Sequence, residues 1–255
     1  MEVRILGSSG SVSGPTNPTS GYLVRSTNEA PVLVDCGPGV LSQLQQVTDP
    51  AGTHVLFSHL HADHCLDFPS LLVWRRFHPI SPSTMKHDLI GPEDTPNHLG
   101  RLSSDEPDTV ESFEDTFTFR AWRERQPEDI ADLRVTPFHA VHPIQAYSLR
   151  MEERSTGTVV AYSGDSDWTE DLIECARDAD LFLCEATWCD SSEGKAPGMH
   201  MSGREAGRAA RLAGAKALVL IHIPPWGDPE AALDAARSEF EGPVSLGLAG
   251  DTWRL

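Results

Sequence analysis

Three imidazoles and a carboxylate stand within six residues, His59-Leu60-His61-Ala62-Asp63-His64, directly after the apolar run Val55-Leu56-Phe57 and Ser58. No other segment restricts the chain as much. Where a strand ends in a tight loop, residues i and i+2 converge on one point, so His59 and His61 are placed to share one metal. Asp63 and His64, entering a helix, are turned toward a neighbouring point. Imidazole and carboxylate are ligand types for zinc, manganese or iron, and no cysteine lies between His59 and His64 to close a structural zinc site.

Four ligands in one loop do not complete two metal sites, so the remainder must come from later strand ends. His142 follows the strand pattern of residues 133–138, Asp165 follows Val159-Val160-Ala161-Tyr162-Ser163-Gly164, and His222 ends Ala217-Leu218-Val219-Leu220-Ile221. In an open α/β sheet, ligands collect at the carboxyl ends of strands, which is where each of these falls.

The rest of the chain is patterned to supply such a sheet. Residues 3–6, 22–25, 32–35 and 55–58 read as strands, with a Gly/Ser/Pro-rich loop over 7–21, a turn around Asn28-Glu29 and a short helix over 40–47. Residues 81–108, rich in Pro, Ser, Asp and Glu, are expected to be a loop-dominated surface elaboration. Strands resume at 133–138, 146–151, 158–163, 181–186 and 217–221. Ser202 with Glu205 forms a capping box for a helix closed by Gly214, and Asp228-Pro229 starts a last helix that Gly242 is expected to end. Alternation of this kind gives an α/β class and no more.

Composition narrows the setting. The 255 residues suit one domain, and 39% hydrophobic with 23% charged residues is the balance of a globule. No apolar run approaches the roughly 18 residues that span a bilayer. The chain opens on Glu2-Val3-Arg4-Ile5-Leu6 without a basic segment and apolar h-region, so a cytoplasmic address is the expectation. Five cysteines without a CxxC pair suit reduced, buried thiols. A net charge of −18 repels a polyanion at long range, although bound cations supply local positive charge for a phosphate.

HxHxDH, a histidine before the Ala146-Tyr147-Ser148-Leu149-Arg150 strand, Ser163-Gly164-Asp165-Ser166 and a late Ile221-His222-Ile223-Pro224-Pro225-Trp226 resemble the metallo-β-lactamase superfamily. The similarity is greatest to its ribonuclease Z and phosphodiesterase branch and runs from Gly7-Ser8-Ser9-Gly10 and Asp35-Cys36-Gly37 to His222. It implies a single domain over residues 1–255, folded as a four-layer αββα sandwich. It also implies two divalent ions, zinc first and manganese or iron as alternatives. His59, His61 and His142 would hold one ion, Asp63, His64 and His222 the other, and Asp165 both. His139 rivals His142; the family's histidine stands a few residues before a Tyr-containing strand, which favours His142. A cysteine near Asp165 would mark antibiotic-opening enzymes and a glutamate at His61 the flavin-coupled di-iron branch, and neither is present.

Glu185-Ala186-Thr187 and His200-Met201-Ser202 resemble that branch's Glu-Ala-Thr and HxS segments, in which the glutamate orients a histidine that protonates the leaving oxygen. Asp63, Glu185 and His200 are thus the expected catalytic residues, completing a phosphodiester cleavage by a hydroxide held between the ions. A positioned acid contributes roughly 10²–10⁴ in rate to expelling a sugar alkoxide. Two substrates share this chemistry. Ribonuclease Z carries a long basic arm between the third histidine motif and the bridging aspartate, and the 23 residues from His142 to Asp165 leave no room for one. Gly7–Ser11, the Ala62-Asp63-His64-Cys65-Leu66-Asp67 segment and the sequence from His200 to Gly207 resemble the cyclic-nucleotide phosphodiesterases instead. Hydrolysis of 3′,5′-cyclic nucleotides such as cAMP is therefore the leading expectation and tRNA 3′ processing the runner-up. Another metallo-hydrolase, or a non-catalytic nucleotide-binding module, stands behind both. The expected partner is a small phosphodiester rather than a nucleic acid or membrane, and relatives of this kind commonly form homodimers. His54, His78, His87, His98 and His139 read as surface or satisfied core residues, and Arg75-Arg76 with Arg120, Arg123 and Arg125 as mostly solvated basic clusters.

Overall fold

The computed structural model describes residues 1–26 and 29–255; the expected turn at Asn28 lies outside them. The first sheet takes β1 (Glu2–Gly7), β2 (Gly21–Arg25), β3 (Val32–Val34), β4 (His54–Leu56), β5 (His87–Gly91) and β6 (Phe117–Ala121). The second takes β7 (Glu128–Ile130), β8 (Leu133–His139), β9 (Tyr147–Glu153), β10 (Val159–Tyr162), β11 (Leu181–Glu185), β12 (Leu218–Ile221) and β13 (Val244–Leu246). The last strand, β14 (Thr252–Arg254), returns to pair with β1, giving the orders β14-β1-β2-β3-β4-β5-β6 and β13-β12-β11-β10-β9-β8-β7. Parallel pairing runs from β3 to β6 and from β10 to β13.

Among the described residues the α-helices are α1 (Val40–Leu44), α2 (Ala62–Cys65), α3 (Phe68–Phe77), α4 (Thr95–Leu102), α5 (Glu170–Cys175), α6 (Gly203–Ala213) and α7 (Pro229–Arg237), and they flank the two sheets. Strand alternation sorts side chains into three cores. Val3, Ile5, Tyr22 and Val34 meet Leu149, Tyr162, Leu183 and Val219 between the sheets. On the outer face of the first sheet Leu6, Leu23, Val55 and Leu89 take Leu44, Phe68 and Leu71 from the helices. On the outer face of the second, Ala161, Phe182 and Leu220 take Leu172, Ala209 and Ala236. Three cores between two sheets and two helical layers make the αββα sandwich. Each fully buried Leu, Val or Phe adds roughly 1.5–3 kcal/mol, so the sheets form a stiff platform for the loops at their carboxyl edges.

The expectation for residues 81–108 fails here. They contain β5, an interior strand between β4 and β6, and α4. Only Leu89-Ile90 carries the apolar signal for β5, because parallel pairing on both sides supplies the rest of its stability. The Pro and Asp residues serve as helix entry, with Asp94 at the N-cap and Pro96 in the first turn of α4. Two ends also differ. α7 stops at Arg237, well before Gly242, where the Ser238 hydroxyl turns back to the Ala235 carbonyl. The third strand ends at Val34 because Asp35 takes a left-handed conformation, φ 59°. The Ser202–Glu205 capping box and the Gly214 C-cap are present as expected. No helix among the described residues is long and apolar enough to cross a membrane.

Candidate metal centre

The loops that follow β4, β8, β10 and β12 meet at one edge of the sandwich. β4 leads through Ser58 to His59 and His61, with α2 carrying Asp63 and His64. The β8–β9 hairpin carries His142, pinned by a bridge between Val141 and Asp167. His139 is still paired in the β8 ladder opposite Tyr147 and its side chain is exposed, so it does not join the cluster. Asp165 follows β10 and His222 follows β12.

Donor atoms of His59, His61 and His142 lie within 4.8 Å of one another, and those of Asp63, His64, Asp165 and His222 do the same beside them. Asp165 faces both groups: Oδ2 is 3.7 Å from His59 Nε2 and 3.3 Å from His222 Nε2, while Oδ1 is 3.3 Å from His64 Nε2. Asp63 Oδ2 lies 3.0 Å from His222 Nε2 and accepts the Ser11 backbone N–H at 3.0 Å.

Hydrogen bonding at the outer ring nitrogens decides what the inner ones offer. His59 Nδ1–H donates to Ser58 Oγ (3.1 Å), which itself donates to Asp35 Oδ2 (2.7 Å). His64 Nδ1–H donates to Asp35 Oδ2 (2.8 Å), His142 Nδ1–H to the Met199 carbonyl (2.9 Å) and His222 Nδ1–H to Thr187 Oγ1 (2.9 Å). The network thereby assigns four Nε2 lone pairs to the interior. They converge closely: His64 Nε2 is 3.3 Å from His222 Nε2, and His142 Nε2 is 2.9 Å from His61 Nδ1. Buried His59 Nε2 and Asp165 Oδ1 have no hydrogen-bond partner among the described residues. An orphaned buried polar atom costs about 1–3 kcal/mol, and a cation removes that cost at both.

The field agrees. Burial depresses the His64 imidazole, but Asp165, Asp35 and Asp63 outweigh it and hold the group well above its ordinary value. Burial and the neighbouring His64 hold His59 well below. Burial also raises the Asp165 carboxyl, but His222 and His64 outweigh it and keep Asp165 ionised. The carboxylates of Asp165, Asp35 and Asp63 demand positive charge at this point; without an ion a proton on His64 meets part of that demand, and the donor set fits divalent cations that would take the proton's place.

Beside this cluster, His200 Nδ1–H donates to Glu185 Oε1 at 3.0 Å. Burial lowers the His200 imidazole, but Glu185 outweighs it and pushes the group up to about 9. Glu185, fully buried, also accepts from Ser166 N (2.7 Å), Met201 N (3.2 Å) and Thr187 Oγ1 (2.8 Å). Although Glu185, His200 and His222 lie close enough to form a third donor group, these bonds leave Glu185 no lone pair for a cation. Thr187 ties the two assemblies together, accepting from His222 and donating to Glu185.

Asp35, Ser58, Tyr162 and Thr187 carry this outer network, and nothing in the linear pattern assigns them to it, although Asp35 and Thr187 stand in recognised motifs. Asp35 takes four donors, from Ser58 N, Ser58 Oγ, His64 Nδ1 and the Tyr162 hydroxyl (2.7 Å). Of the basic residues singled out, Arg123 is exposed as expected, while the other four are engaged by neighbouring groups. Arg75 is buried, bonded to Thr116 Oγ1, the Ala51 carbonyl and His87, so it is no solvated face. Arg76 pairs with Asp115 and Glu111, Arg120 with Asp88 and Glu128, and Arg125 with Asp171 and Glu174.

Comparison with known proteins is consistent with this geometry. A family model described as a beta-lactamase superfamily domain matches residues 31–223. An uncharacterized protein of Mycobacterium leprae is 45% identical over 255 residues, covering 100% of this chain and 89% of its own length. The probable metallo-hydrolase YhfI of Bacillus subtilis is 29% identical with 99% of each chain covered. Its crystal structure matches with a TM-score of 0.86 over 99% of this chain and 98% of that one, at 26% identity. A ribonuclease Z of Haloarcula marismortui is 27% identical over 98% of this chain and 95% of its own.

Proposed function

The chain belongs to the beta-lactamase superfamily and is a metal-dependent hydrolase, and on that premise we propose that it is a phosphodiesterase opening 3′,5′-cyclic nucleotides such as cAMP. The observation that carries the phosphodiester part of this reading is the buried Glu185–His200 hydrogen bond of 3.0 Å beside the ligand cluster, and the preference for a small substrate rests on charge and on the short segment weighed below. A bond whose leaving group departs unaided has no use for a fixed, protonated imidazole, whereas a sugar oxygen leaving phosphorus does.

Roles follow from the geometry. His59, His61 and His142 would hold one divalent ion, Asp63, His64 and His222 a second, and Asp165 both; zinc, manganese and iron all suit these donors. When bound, the ions supply Lewis acidity, polarising the phosphoryl oxygens and acidifying water. The chain's own work is positional. Asp35 orients His64 directly and His59 through Ser58, and Thr187 orients His222. Glu185 fixes the His200 ring through Nδ1 and stabilises its cationic form, leaving Nε2–H as the proton donor to the departing ribose oxygen. As the oxygen leaves, that proton passes to it and His200 becomes neutral, to be reprotonated from solvent.

A ribonuclease Z reading is supported by the full-length similarity to enzymes of that name. Against it stand the net charge of −18 and the short segment from His142 to Asp165, which holds only β9, a turn and β10. Precursor tRNA engages several phosphates, each requiring cationic contacts. Assays of metal-loaded protein on cAMP and on precursor tRNA, in parallel, test the choice. Turnover of cAMP to a nucleoside monophosphate is expected; efficient tRNA trimming with no cAMP turnover would overturn it.

A further inference from the structure

Against the acid pair lies a cavity of ≈ 460 Å³ that the mechanism above does not use. His200 forms part of its wall, with Ser11, Trp188, Lys195 and Trp226 around it. The Trp188 ring meets the His200 ring edge to face, centroids 5.2 Å apart at 83°, and Lys195 Nζ stands over Trp188 at 5.5 Å. Trp226 is 72% exposed. It is nevertheless held: Pro224 and Pro225 precede it, and Gly227 N–H closes the turn on the Pro224 carbonyl at 2.8 Å. Trp74 and Trp122 donate their indole N–H to Asp49 and to the Phe57 carbonyl, whereas no such bond ties Trp188 or Trp226 among the described residues. A large aromatic presented by a stiff turn at the mouth of a cavity is pre-organised for a ligand.

We propose that this cavity is the leaving-group subsite and that Trp226, with Trp188 behind it, stacks a planar heteroaromatic ring, the nucleobase, of the alcohol that His200 protonates. The inference rests on the reading of His200 as that acid. In-line displacement sets the departing oxygen opposite the attacking one, so the group it belongs to must lie on the His200 side. In a cyclic nucleotide the ribose keeps its base when the ester opens, and the base is then carried into the cavity. A π-face is common to every base, so stacking recognises the ring without fixing which base it is.

Equilibrium binding separates this from the catalytic reading. Adenosine 5′-monophosphate is titrated into metal-loaded protein with indole fluorescence and calorimetry as readouts, and ribose 5-phosphate is the control without a ring. The monophosphate nucleoside is expected to quench fluorescence and bind about tenfold or more tighter than the sugar phosphate. Trp226→Ala should weaken it about tenfold and leave ribose 5-phosphate unchanged, and Trp226→Phe should keep most of the affinity. Equal binding of the two ligands, no binding of either, or indifference of the nucleotide to Trp226→Ala overturns the subsite. Parallel cAMP assays identify which idea fails. Ring-dependent binding without turnover sinks the cyclic-nucleotide reading and keeps the subsite, and turnover with a KM insensitive to Trp226→Ala does the reverse.

Discussion

Replacing His200 is the perturbation that separates the proposed acid from the candidate metal ligands. His200 lies 3.9 Å from Asp165 at its nearest, through Nδ1, and that nitrogen is committed to Glu185 at 3.0 Å. Removing the ring therefore strips no ligand from either donor group. Glu185 loses one of several donors and keeps those of Ser166, Met201 and Thr187, so the fold should lose only about 1–3 kcal/mol. The rate loss is larger. A positioned acid contributes roughly 10²–10⁴, or about 3–5 kcal/mol of transition-state stabilisation, when an alkoxide must leave. His200→Ala and His200→Asn should both show it with cAMP, Asn because its amide nitrogen replaces Nδ1 toward Glu185 but carries no acidic proton to transfer. With bis(p-nitrophenyl) phosphate, whose phenolate leaves unaided, the loss should shrink to less than about tenfold. The assay is kcat/KM on both substrates, with metal content measured by mass spectrometry on the same preparations. An equal loss on the two substrates, or a fall in bound metal, refutes the assignment of His200 as acid.

Four further outcomes test other parts of the reasoning. Asp165→Ala removes the carboxylate facing both donor groups and should empty the centre of metal and abolish turnover; retained metal with full activity would refute Asp165 as the shared ligand. Asp35→Asn sets an amide N–H against a site that already holds four donors, so metal affinity measured by chelator competition should fall about 10–100-fold. Burial and Arg75 hold the His87 imidazole down to about 4, below its ordinary 6.5. The unfolded chain then takes up a proton at higher pH than the folded one, so this contribution to stability is full above about pH 6.5 and declines toward pH 4. His87→Gln should flatten the pH dependence of the unfolding free energy, measured by denaturant titration, by about 2 kcal/mol across that window, and an unchanged slope would count against a neutral His87. Finally, cAMP turnover should vary little with salt, because a small substrate releases few counterions; steep salt sensitivity would point to a polyanionic substrate.

What the sequence discloses about this centre depends on how local the signal is. His59, His61, Asp63 and His64 are legible because ligand chemistry is packed into one loop. His142, Asp165 and His222 are legible because strand ends are the places where an α/β sheet presents ligands. The capping box at Ser202 is local in the same sense. β5 is not, since two apolar residues between polar flanks become a strand only when β4 and β6 lie on either side. Arg75 reads as a surface charge until α3 turns it into the gap beneath Thr116 and Ala51, where carbonyls take the place of water. Ser58, Tyr162 and Thr187 are ordinary strand and loop residues whose task is created by tertiary placement. The outer hydrogen bonds that choose each imidazole's tautomer were for that reason out of reach, although the imidazoles themselves were not.

Motifs that first served only as marks of resemblance acquire a physical reason at the backbone. Asp35 and His222 both adopt left-handed conformations, φ 59° and 57°, a geometry that costs a non-glycine residue about 1–2 kcal/mol. Each stands where a strand must turn sharply so that its side chain enters the cleft. The surrounding structure over-determines both. Asp35 N–H is bonded to the Leu56 carbonyl and its side chain to four donors, while His222 N–H is bonded to the Ser8 carbonyl and its ring to Thr187. Two glycines make the closure sterically feasible. A Cβ on Gly10 would stand 2.3 Å from the His222 carbonyl oxygen, and one on Gly37 only 1.9 Å from that of Asp63. Gly7-Ser8-Ser9-Gly10 and Asp35-Cys36-Gly37 are thus the segments at which backbone presses against the ligand-bearing loops from the opposite side. The histidines supply donor atoms; it is the missing side chains at Gly10 and Gly37, together with the strain held at Asp35 and His222, that let those donors converge in groups that could each hold a cation.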